Sequence, residues 1–262
     1  MSFRVCVLGS GSAGNSILVC SKEAKILIDA GLSTGEIVSR LAMVATRPDE
    51  LCAILISHEH IDHLRSAGVL ARRYKLPLYL NAATFEAAKI QLGKVPKLEI
   101  FDPDRGFQLH DLLIEPFSVP HDAADPVSFC LYMKNRKLGI ATDLGRPTTL
   151  VRQMLRACHA LILESNHDPE MLLSGPYPWW LKQRIRGGFG HLSNESSQSL
   201  LRDVLHEELK TVILAHLSEK NNHVALAYQT AAQALQERGD LKNLDVALSI
   251  ASQHQVGAMI DV

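Results

Sequence analysis

The sequence predicts an α/β fold in which two mixed sheets lie face to face, with helices on their outer sides. Three observations lead to this class. Apolar runs of strand length alternate with amphipathic helical patterns in both halves of the chain. No repeat, low-complexity tract or Gly/Ser linker separates the halves. The 262 residues, 47% of them hydrophobic, suffice for one large core. We therefore expect residues 1–262 to form a single domain.

Each element is identified by its own local pattern. Strands are short apolar runs bounded by Gly, Pro, Asp or Asn. In chain order, they are predicted at 3–8, 16–20, 25–29, 52–57, 98–101, 106–117, 127–133, 137–142, 160–164, 211–215 and 245–251. Helices carry an apolar residue at every third or fourth position. They are predicted at 35–43, 63–74, 82–92, 147–157, 193–206 and 221–237. The chain thus begins with strands, is rich in strands in the middle, and then alternates helix and strand.

Charge, cysteine content and the lack of long apolar runs argue against a strongly basic nucleic-acid-binding protein, a disulfide-rich secreted protein and a membrane protein. The formal net charge of −1 creates no strong overall field for a polyanion, so contact with nucleic acid would need a local patch or metal. The five cysteines are widely spaced and include no CxxC pair, which favours buried thiols in a reducing cytosol. The N-terminal residues lack a signal-peptide pattern, and no apolar run approaches the ~20 residues of a membrane helix. We expect a cytoplasmic protein without membrane attachment.

Residues 9–14, Gly-Ser-Gly-Ser-Ala-Gly, fit the GxGxxG pattern of dinucleotide-binding proteins. In those proteins the third glycine opens a helix whose N-terminus binds the pyrophosphate. Here residues 15–20 and 25–29 have strand patterns instead, joined by a short polar turn. The sequence therefore predicts a tight turn between strands and no nucleotide cofactor.

A short motif, His58-Glu-His60-Ile-Asp62-His63, contains the residue types that bind divalent metal ions. Residues two apart on an extended segment project to the same side, so His58 and His60 can bind one ion together. Beyond a turn, Asp62 and His63 can face a second ion. Imidazole and carboxylate suit Zn²⁺ well, and Mn²⁺ or Fe²⁺ acceptably. The alternative is a chance set of surface histidines after a strand.

Two ions need more ligands than this motif supplies. His121, Asp143 and His216 each follow a predicted strand, where side chains from neighbouring strands can meet. Each has a structural alternative: a turn residue for His121, a helix N-cap for Asp143 and a core histidine for His216. The demands of a two-metal centre favour the ligand role for all three.

These residues together resemble the metallo-β-lactamase superfamily. There an HxHxDH motif, a later His, an Asp after a strand and a final His bind two metals between paired sheets. The resemblance implies a four-layer αββα sandwich. It also implies that Asp29, in Leu-Ile-Asp-Ala-Gly31, supports the motif by hydrogen bonds, with an ordinary strand-end aspartate as the alternative. The implied ligands are three for a first ion, three for a second and one bridging both: His58, His60 and His121; Asp62, His63 and His216; and Asp143.

The second half of the chain resembles the phosphodiesterase branch of this superfamily and is related in layout to tRNase Z. Four segments resemble the YycJ/WalJ group of bacterial proteins: 9–16, 142–145, 190–194 and 215–222. That group is associated with exonuclease action on double-stranded DNA from a 5′ end. The resemblance implies a binuclear phosphodiesterase, a 5′ exonuclease whose partner is DNA ends.

The expected chemistry uses two ions to acidify a water held between them. We expect the resulting hydroxide, oriented by Asp62, to attack phosphorus. His191 would donate a hydrogen bond to the phosphate or a proton to the leaving oxygen, and Glu164 would orient His191. The alternative for His191 is a helix-entry residue before Ser193, which caps the next helix.

Candidate substrate contacts lie near the same segment: Ser193, Lys182, Arg184 and Arg186. The basic side chains could bind phosphates, and Trp179 and Trp180 just before them could stack an exposed base. The alternative is a solvated helix with a packed aromatic foot.

Two other classes of function stay open. The first is a small-molecule hydrolase of the same fold: a cyclic phosphodiesterase, a glyoxalase II-like thioesterase or a lactonase. Glu164 and the segment Gly190-His-Leu-Ser193 favour phosphorus over a thioester. The second is a non-catalytic regulatory protein with structural metals. Structural sites usually have closed shells of four ligands, whereas seven ligands over two ions leave open positions, which favours an enzyme.

Overall fold

The computed structural model describes residues 3–237 and 245–262, and within them fourteen strands form two sheets of seven. The strands of the first sheet are β1 (Arg4–Gly9), β2 (Ser16–Cys20), β3 (Lys25–Ile28), β4 (Ala53–Leu55), β5 (Leu78–Asn81), β6 (Leu98–Phe101) and β14 (Ile260–Asp261). Their order is β14-β1-β2-β3-β4-β5-β6. Pairing is antiparallel from β14 to β3 and parallel from β3 to β6.

The second sheet repeats this arrangement. Its strands are β7 (Phe107–Leu109), β8 (Leu112–Ser118), β9 (Val127–Met133), β10 (Arg136–Ala141), β11 (Ala160–Glu164), β12 (Thr211–Ala215) and β13 (Ala247–Ile250). Their order is β13-β12-β11-β10-β9-β8-β7. Pairing is antiparallel from β7 to β10 and parallel from β10 to β13. Both sheets are therefore mixed, as predicted.

Helices connect the strands of both sheets. Those of the first half are α1 (Thr34–Met43), α2 (Ile61–Leu64), α3 (Ala67–Tyr74) and α4 (Ala82–Leu92). Those of the second half are α5 (Thr149–Leu155), α6 (Pro169–Ser174), α7 (Trp179–Arg186), α8 (Asn194–Val204) and α9 (Val224–Glu237). Helix α1 shows why such segments form: Ser33 and Glu36 make a capping box at its start, and Ile37 and Leu41 are buried on one face.

The layers follow from the alternation of side chains along each strand. In β1, Val5 faces the core between the sheets, whereas Cys6 faces the core under the outer helices. In β11, Ile162 faces the core between the sheets, and Leu161 and Leu163 face the helices of the second half. Successive side chains of a strand point to opposite sides, so both faces of each sheet are covered. The result is the expected αββα sandwich.

Several element boundaries differ from the prediction. The segment predicted as one strand at 106–117 is a hairpin, because the chain turns at His110, whose φ is 55°. The predicted helix at 63–74 is divided into α2 and α3. Strands β5 and β14 and helix α6 were not predicted, since they are too short for a clear periodic signal. Helix α7 corresponds to the solvated helix given as the alternative for the basic segment. The GxGxxG segment is a turn between β1 and β2, as predicted.

None of the helices within residues 3–237 and 245–262 combines the length and apolar character needed to cross a membrane. All five cysteines lie within these residues as free thiols, and four of them are buried. A single domain spanning residues 1–262 stays a prediction, supported by the core that the two sheets share.

Candidate metal centre and active site

The predicted ligands lie in loops that follow the ends of strands, on the same side of the two sheets. The HxHxDH motif begins three residues after β4 and ends inside α2. The other ligands follow β8, β10 and β12. Because the ends of these strands lie together, side chains far apart in the sequence become neighbours. His58 and His63 are buried, whereas His60 and Asp62 are partly exposed toward a cleft of about 260 Å³.

Three of the strand-end residues adopt a left-handed backbone. Asp29, Asp143 and His216 have φ values of 59°, 57° and 57°. This conformation costs a non-glycine residue about 1–2 kcal/mol, and such strain is often found at functional sites. Here it occurs just after β3, β10 and β12, at residues whose side chains contact one another's neighbours in the site.

The first cluster consists of His58, His60 and His121, whose candidate ligand atoms lie within 4.8 Å of one another. His121 Nε2 is 3.3 Å from His60 Nδ1. The other ring nitrogens of these two residues face backbone carbonyls: His121 Nδ1 is 2.9 Å from that of Gly190, and His60 Nε2 is 3.2 Å from that of Asp122. Since a carbonyl can only accept, these nitrogens donate, and the nitrogens that face the cluster carry a lone pair.

The second cluster consists of Asp62, His63 and His216, again within 4.8 Å. The Nε2 atoms of His63 and His216 lie 3.6 Å and 3.7 Å from Asp62 Oδ2. Their Nδ1 atoms are held by carboxylates, 2.7 Å from Asp29 Oδ2 for His63 and 2.9 Å from Glu164 Oε1 for His216. Each imidazole is therefore held in orientation through Nδ1, while its Nε2 faces the cluster.

Asp143 lies between the two clusters. Its Oδ2 is 3.2 Å from His63 Nε2, and its Oδ1 is 3.2 Å from His216 Nδ1 and 3.9 Å from His121 Nε2. The side chain is buried, with 3% of the residue exposed. One carboxylate in reach of both clusters is the arrangement that a bridging ligand requires.

The charges of this site suit divalent cations. Burial lowers the pKa of His58 well below its usual value, so its imidazole is neutral. Burial also opposes charge on His216, but Asp143, Asp62 and Glu164 raise its pKa to about 10. His63 likewise has a raised pKa despite its burial, because Asp143, Asp29 and Asp62 surround it. The buried carboxylates are therefore stabilised by positive charge, which either protons on the histidines or metal ions can supply.

Buried atoms without a partner support the same conclusion. Within the described residues, His58 Nε2 and His216 Nε2 form no hydrogen bond. A buried polar atom in this state costs about 1–3 kcal/mol. Both belong to the clusters, and imidazole nitrogen is a ligand atom for Zn²⁺ and Mn²⁺. The residues present thus fit the two divalent ions that the resemblance implies.

Asp29 lies where it can support the motif by hydrogen bonds, and this role stays a prediction. Its Oδ1 accepts a hydrogen bond from the backbone N–H of Ser57 at 2.9 Å, and its Oδ2 faces His63 Nδ1. Asn15 is a residue that sequence reasoning missed. Its backbone N–H donates to the carbonyl of Asp62 at 2.7 Å, and its side-chain amide is 3.0 Å from His63 Nε2. The turn at residues 9–15 therefore braces the motif, a role that its local sequence does not indicate.

Glu164 links His191 to the second cluster. Its Oε1 lies 2.8 Å from His191 Nδ1 and 2.9 Å from His216 Nδ1, while its Oε2 accepts hydrogen bonds from the backbone N–H groups of Leu144 and Leu192. Although burial opposes its charge, His191 and His216 lower the pKa of Glu164 to about 2. His191 lines the cleft. With Nδ1 engaged, its Nε2 is the ring nitrogen left for a substrate.

The candidate substrate contacts differ in position. Arg184 lines the cleft and forms an ion pair with Asp122. Lys182 is not brought to the cleft: it is buried and its amine donates to the carbonyl of Leu173 at 2.6 Å. Arg186 and Ser193 line a second pocket beside His191, and the Ser193 hydroxyl also caps α8.

Comparison with known proteins agrees with this geometry. Residues 9–216 match the model of the metallo-beta-lactamase superfamily. The chain is 39% identical over 241 residues to an exodeoxyribonuclease YycJ of Bacillus anthracis, covering 91% of each chain. It is 38% identical over 239 residues to an exodeoxyribonuclease WalJ of Streptococcus pneumoniae, covering 90% of this chain and 89% of the relative.

A solved structure with the same architecture is the metallo-beta-lactamase fold protein YhfI from Bacillus subtilis. It aligns with a TM-score of 0.76 and 15% identity over 100% of both chains, a likeness that concerns the fold. The family match covers the motif and both clusters, and each of the two relatives aligns with about nine-tenths of the chain. The chain therefore belongs to the metallo-β-lactamase superfamily and is a metal-dependent hydrolase.

Proposed function

We propose that this protein is a two-metal exonuclease that removes nucleotides from the 5′ end of DNA. The observation that carries the proposal is the position of Asp143, a buried carboxylate in reach of two clusters of three ligand side chains each. The first ion would be held by His58, His60 and His121, the second by Asp62, His63 and His216, with Asp143 between them. When bound, two such ions supply positive charge for the phosphodiester and make water more acidic.

The protein's own side chains then have distinct tasks. The Asp62 carboxylate, partly exposed to the cleft, would accept a hydrogen bond from the attacking water and orient it toward phosphorus. His191 would donate from Nε2, first as a hydrogen bond to a phosphate oxygen and then as a proton to the leaving oxygen. Glu164 would stabilise the protonated ring through Nδ1. Asp62 and His191 thus serve opposite ends of the reaction.

Helix α7, next to the cleft, carries side chains suited to bind DNA. Trp179 and Trp180 are 61% and 65% exposed, and Arg184 lines the cleft itself. Exposed aromatic rings stack on bases, and arginine binds phosphate, without need for a positive charge over the whole protein. These contacts would place a strand end over the two clusters.

The names of the relatives support DNA as the substrate. Both are exodeoxyribonucleases, and each aligns with about nine-tenths of this chain; the family match over residues 9–216 includes the clusters and α7. The 5′ direction comes from the resemblance to their group, and we expect the protein to act in the cytoplasm.

The deciding experiment compares substrates and label positions. Purified protein with Mn²⁺ or Zn²⁺ is given single- and double-stranded DNA and RNA labelled at either end, with a thioester as control. We expect labelled mononucleotide to appear first from 5′-labelled duplex DNA. Earlier release of a 3′ label would overturn the direction, and a preference for the thioester would overturn the substrate class.

A variant links this activity to the site. Asp62→Asn should reduce DNA degradation by roughly 10²-fold or more, since the carboxylate orients the attacking group. Asp49→Asn is the matched control, because Asp49 is an exposed residue paired with Arg47. Metal content is measured for both variants by elemental analysis. Full activity in Asp62→Asn would contradict the proposed role.

A further inference from the structure

A second pocket lies beside His191, with a volume of about 270 Å³. We call it the side pocket; its polar lining consists of His167, Arg186, His191, Ser193 and Ser196. His191 also lines the cleft over the two clusters, so the side pocket and the cleft meet at this residue. A group bound in the side pocket would therefore be a close neighbour of the reacting phosphodiester.

The side pocket contains a cation that the rest of the fold does not use. Arg186 is exposed, and its guanidinium makes no hydrogen bond or ion pair with any described residue. The neighbouring cations of α7 have partners within the fold: Arg184 pairs with Asp122 through its Nε only, and Lys182 donates to the carbonyl of Leu173. Arg186 is thus free to bind an anion, and a guanidinium binds phosphate with two parallel hydrogen bonds.

Hydroxyl groups at the start of α8 add further donors. Ser193 Oγ accepts from the backbone N–H of Ser196 and donates to Ser196 Oγ, each at 3.1 Å. The hydrogen of the Ser196 hydroxyl is therefore left for another acceptor. Helix α8 has 11 residues, and its N-terminus carries the positive end of the helix dipole, which favours an anion.

A buried histidine gives an independent sign of a ligand. His167 is 3% exposed and lines the side pocket, yet its Nδ1 has no partner among residues 3–237 and 245–262. Burial lowers the pKa of His167 to about 4, so the ring is neutral near pH 7 and offers one N–H and one lone pair. If His167 Nδ1 carries the hydrogen, it can donate to a ligand oxygen. If it carries the lone pair, it can accept from a ligand hydroxyl.

We propose that the side pocket binds the 5′-terminal phosphate of the strand being degraded, so that the enzyme prefers 5′-phosphorylated ends. The inference rests on the proposed exonuclease function. One arginine, serine hydroxyls and a helix N-terminus match a phosphate dianion better than a neutral group. In a 5′ exonuclease that releases single nucleotides, the terminal phosphate lies one nucleotide before the bond that breaks. Because the side pocket and the cleft share His191, a phosphate in the side pocket would lie next to the bond in the cleft.

The first test measures binding in the presence of a chelator, so that metal cannot hold the phosphate. Fluorescent DNA duplexes carrying a 5′-phosphate or a 5′-hydroxyl are titrated with protein, and their anisotropy is compared. We expect the phosphorylated end to bind more tightly by roughly tenfold, as one charge-assisted contact would give. The ratio should fall close to one in Arg186→Ala and should fall in part in Ser196→Ala.

Arg105→Ala is the matched control, because Arg105 is an exposed arginine in the turn between β6 and β7, outside both pockets. It should keep the full ratio. Equal binding of the two ends by the unaltered protein would overturn the proposal. So would an Arg186→Ala variant that weakens both ends equally, because this result would assign Arg186 to an internal phosphodiester.

The second test separates this inference from the exonuclease proposal. With metal present, degradation of 5′-phosphorylated and 5′-hydroxyl duplexes is compared in the same proteins. Degradation with no preference between ends would overturn the side-pocket assignment and leave the exonuclease proposal standing. A binding preference that depends on Arg186, without any DNA degradation, would support the pocket and overturn the exonuclease.

Discussion

At the scale of single residues, the clusters are built from side chains that use one atom for support and present another. His63 is held at Nδ1 by Asp29, His216 at Nδ1 by Glu164, and His121 at Nδ1 by a backbone carbonyl. The hydrogen bond at Nδ1 fixes the orientation of each ring, so that Nε2 faces the cluster. The centre is therefore organised before any metal arrives.

Asp29 allows a test of this support. Asp29→Asn replaces an oxygen that accepts from His63 and Ser57 with an amide that can donate instead. We expect metal affinity to fall by about 10–100-fold, the usual effect of losing a supporting partner. Competition with a coloured chelator measures the dissociation constant. An unchanged constant, with the variant folded by circular dichroism, would show that His63 needs no such support.

His167 makes stability depend on pH. Its pKa falls from 6.5 to about 4 on folding, chiefly because of burial. Between pH 6.5 and about 4, His167 binds a proton in the unfolded chain but not in the folded protein. The unfolding free energy therefore keeps its full value above pH 6.5 and declines as the pH falls toward 4. The loss is on the order of 3 kcal/mol. Urea unfolding in chelator at several pH values should show a smaller decline for His167→Gln; an equal decline would contradict this assignment.

At the scale of elements, the motif approaches its neighbours too closely for side chains larger than hydrogen. A Cβ on Gly31 would overlap the backbone carbonyl of Asp62, and one on Gly14 would contact the backbone of Gly31 at 2.8 Å. The turn after β1, the loop after β3 and the start of α2 are thus packed backbone to backbone. Hydrogen bonds from Asn15 and Ala30 to carbonyls of the motif fix this contact.

Gly31→Ala should therefore displace the motif. We expect loss of bound metal and a fall in unfolding free energy of about 1–3 kcal/mol, the usual cost of forcing atoms into a packed region. Gly35→Ala is the matched control, since a Cβ at Gly35 meets nothing within 4 Å. Denaturant unfolding and metal analysis measure both effects. If the two variants behaved alike, the close packing at Gly31 would not matter to the site.

At the scale of the whole molecule, each ion would be held by both sheets. His58, His60 and Asp62 follow strand β4 of the first sheet, whereas His121 and His216 follow strands of the second. Each cluster combines ligands from the two sides. Metal would thus link the sheets at the edge where the cleft opens.

This arrangement predicts that metal stabilises the fold. At a free ion concentration of a hundred times Kd, one site adds about 2.7 kcal/mol to the unfolding free energy. We expect Zn²⁺ or Mn²⁺ to raise Tm and a chelator to lower it, with a smaller change in His216→Ala because one ligand of the second cluster is lost. Scanning calorimetry measures Tm. A Tm insensitive to verified metal removal would contradict a link between the sheets.

The sequence by itself determined the residue types of the site and most of the elements that carry them. Period-two and period-3.6 patterns are local, so strands such as β2, β9, β11 and β12 and helix α4 were predicted with their observed limits. The ligand motif is local too, because its members lie within six residues. Short elements such as β5 and α6 carry too little pattern to be recognised.

Only the tertiary structure decided which distant residues meet and in what state. Contacts across many residues of chain place Asn15 against His63, Glu164 between two histidines and the Lys182 amine at a carbonyl. They also leave Arg186 without a partner among residues 3–237 and 245–262. Such contacts follow from the packing of two sheets and the turns at their edges, and no local pattern encodes them. The residue types thus determine which chemistry is possible, whereas the fold determines the positions and charge states of the side chains.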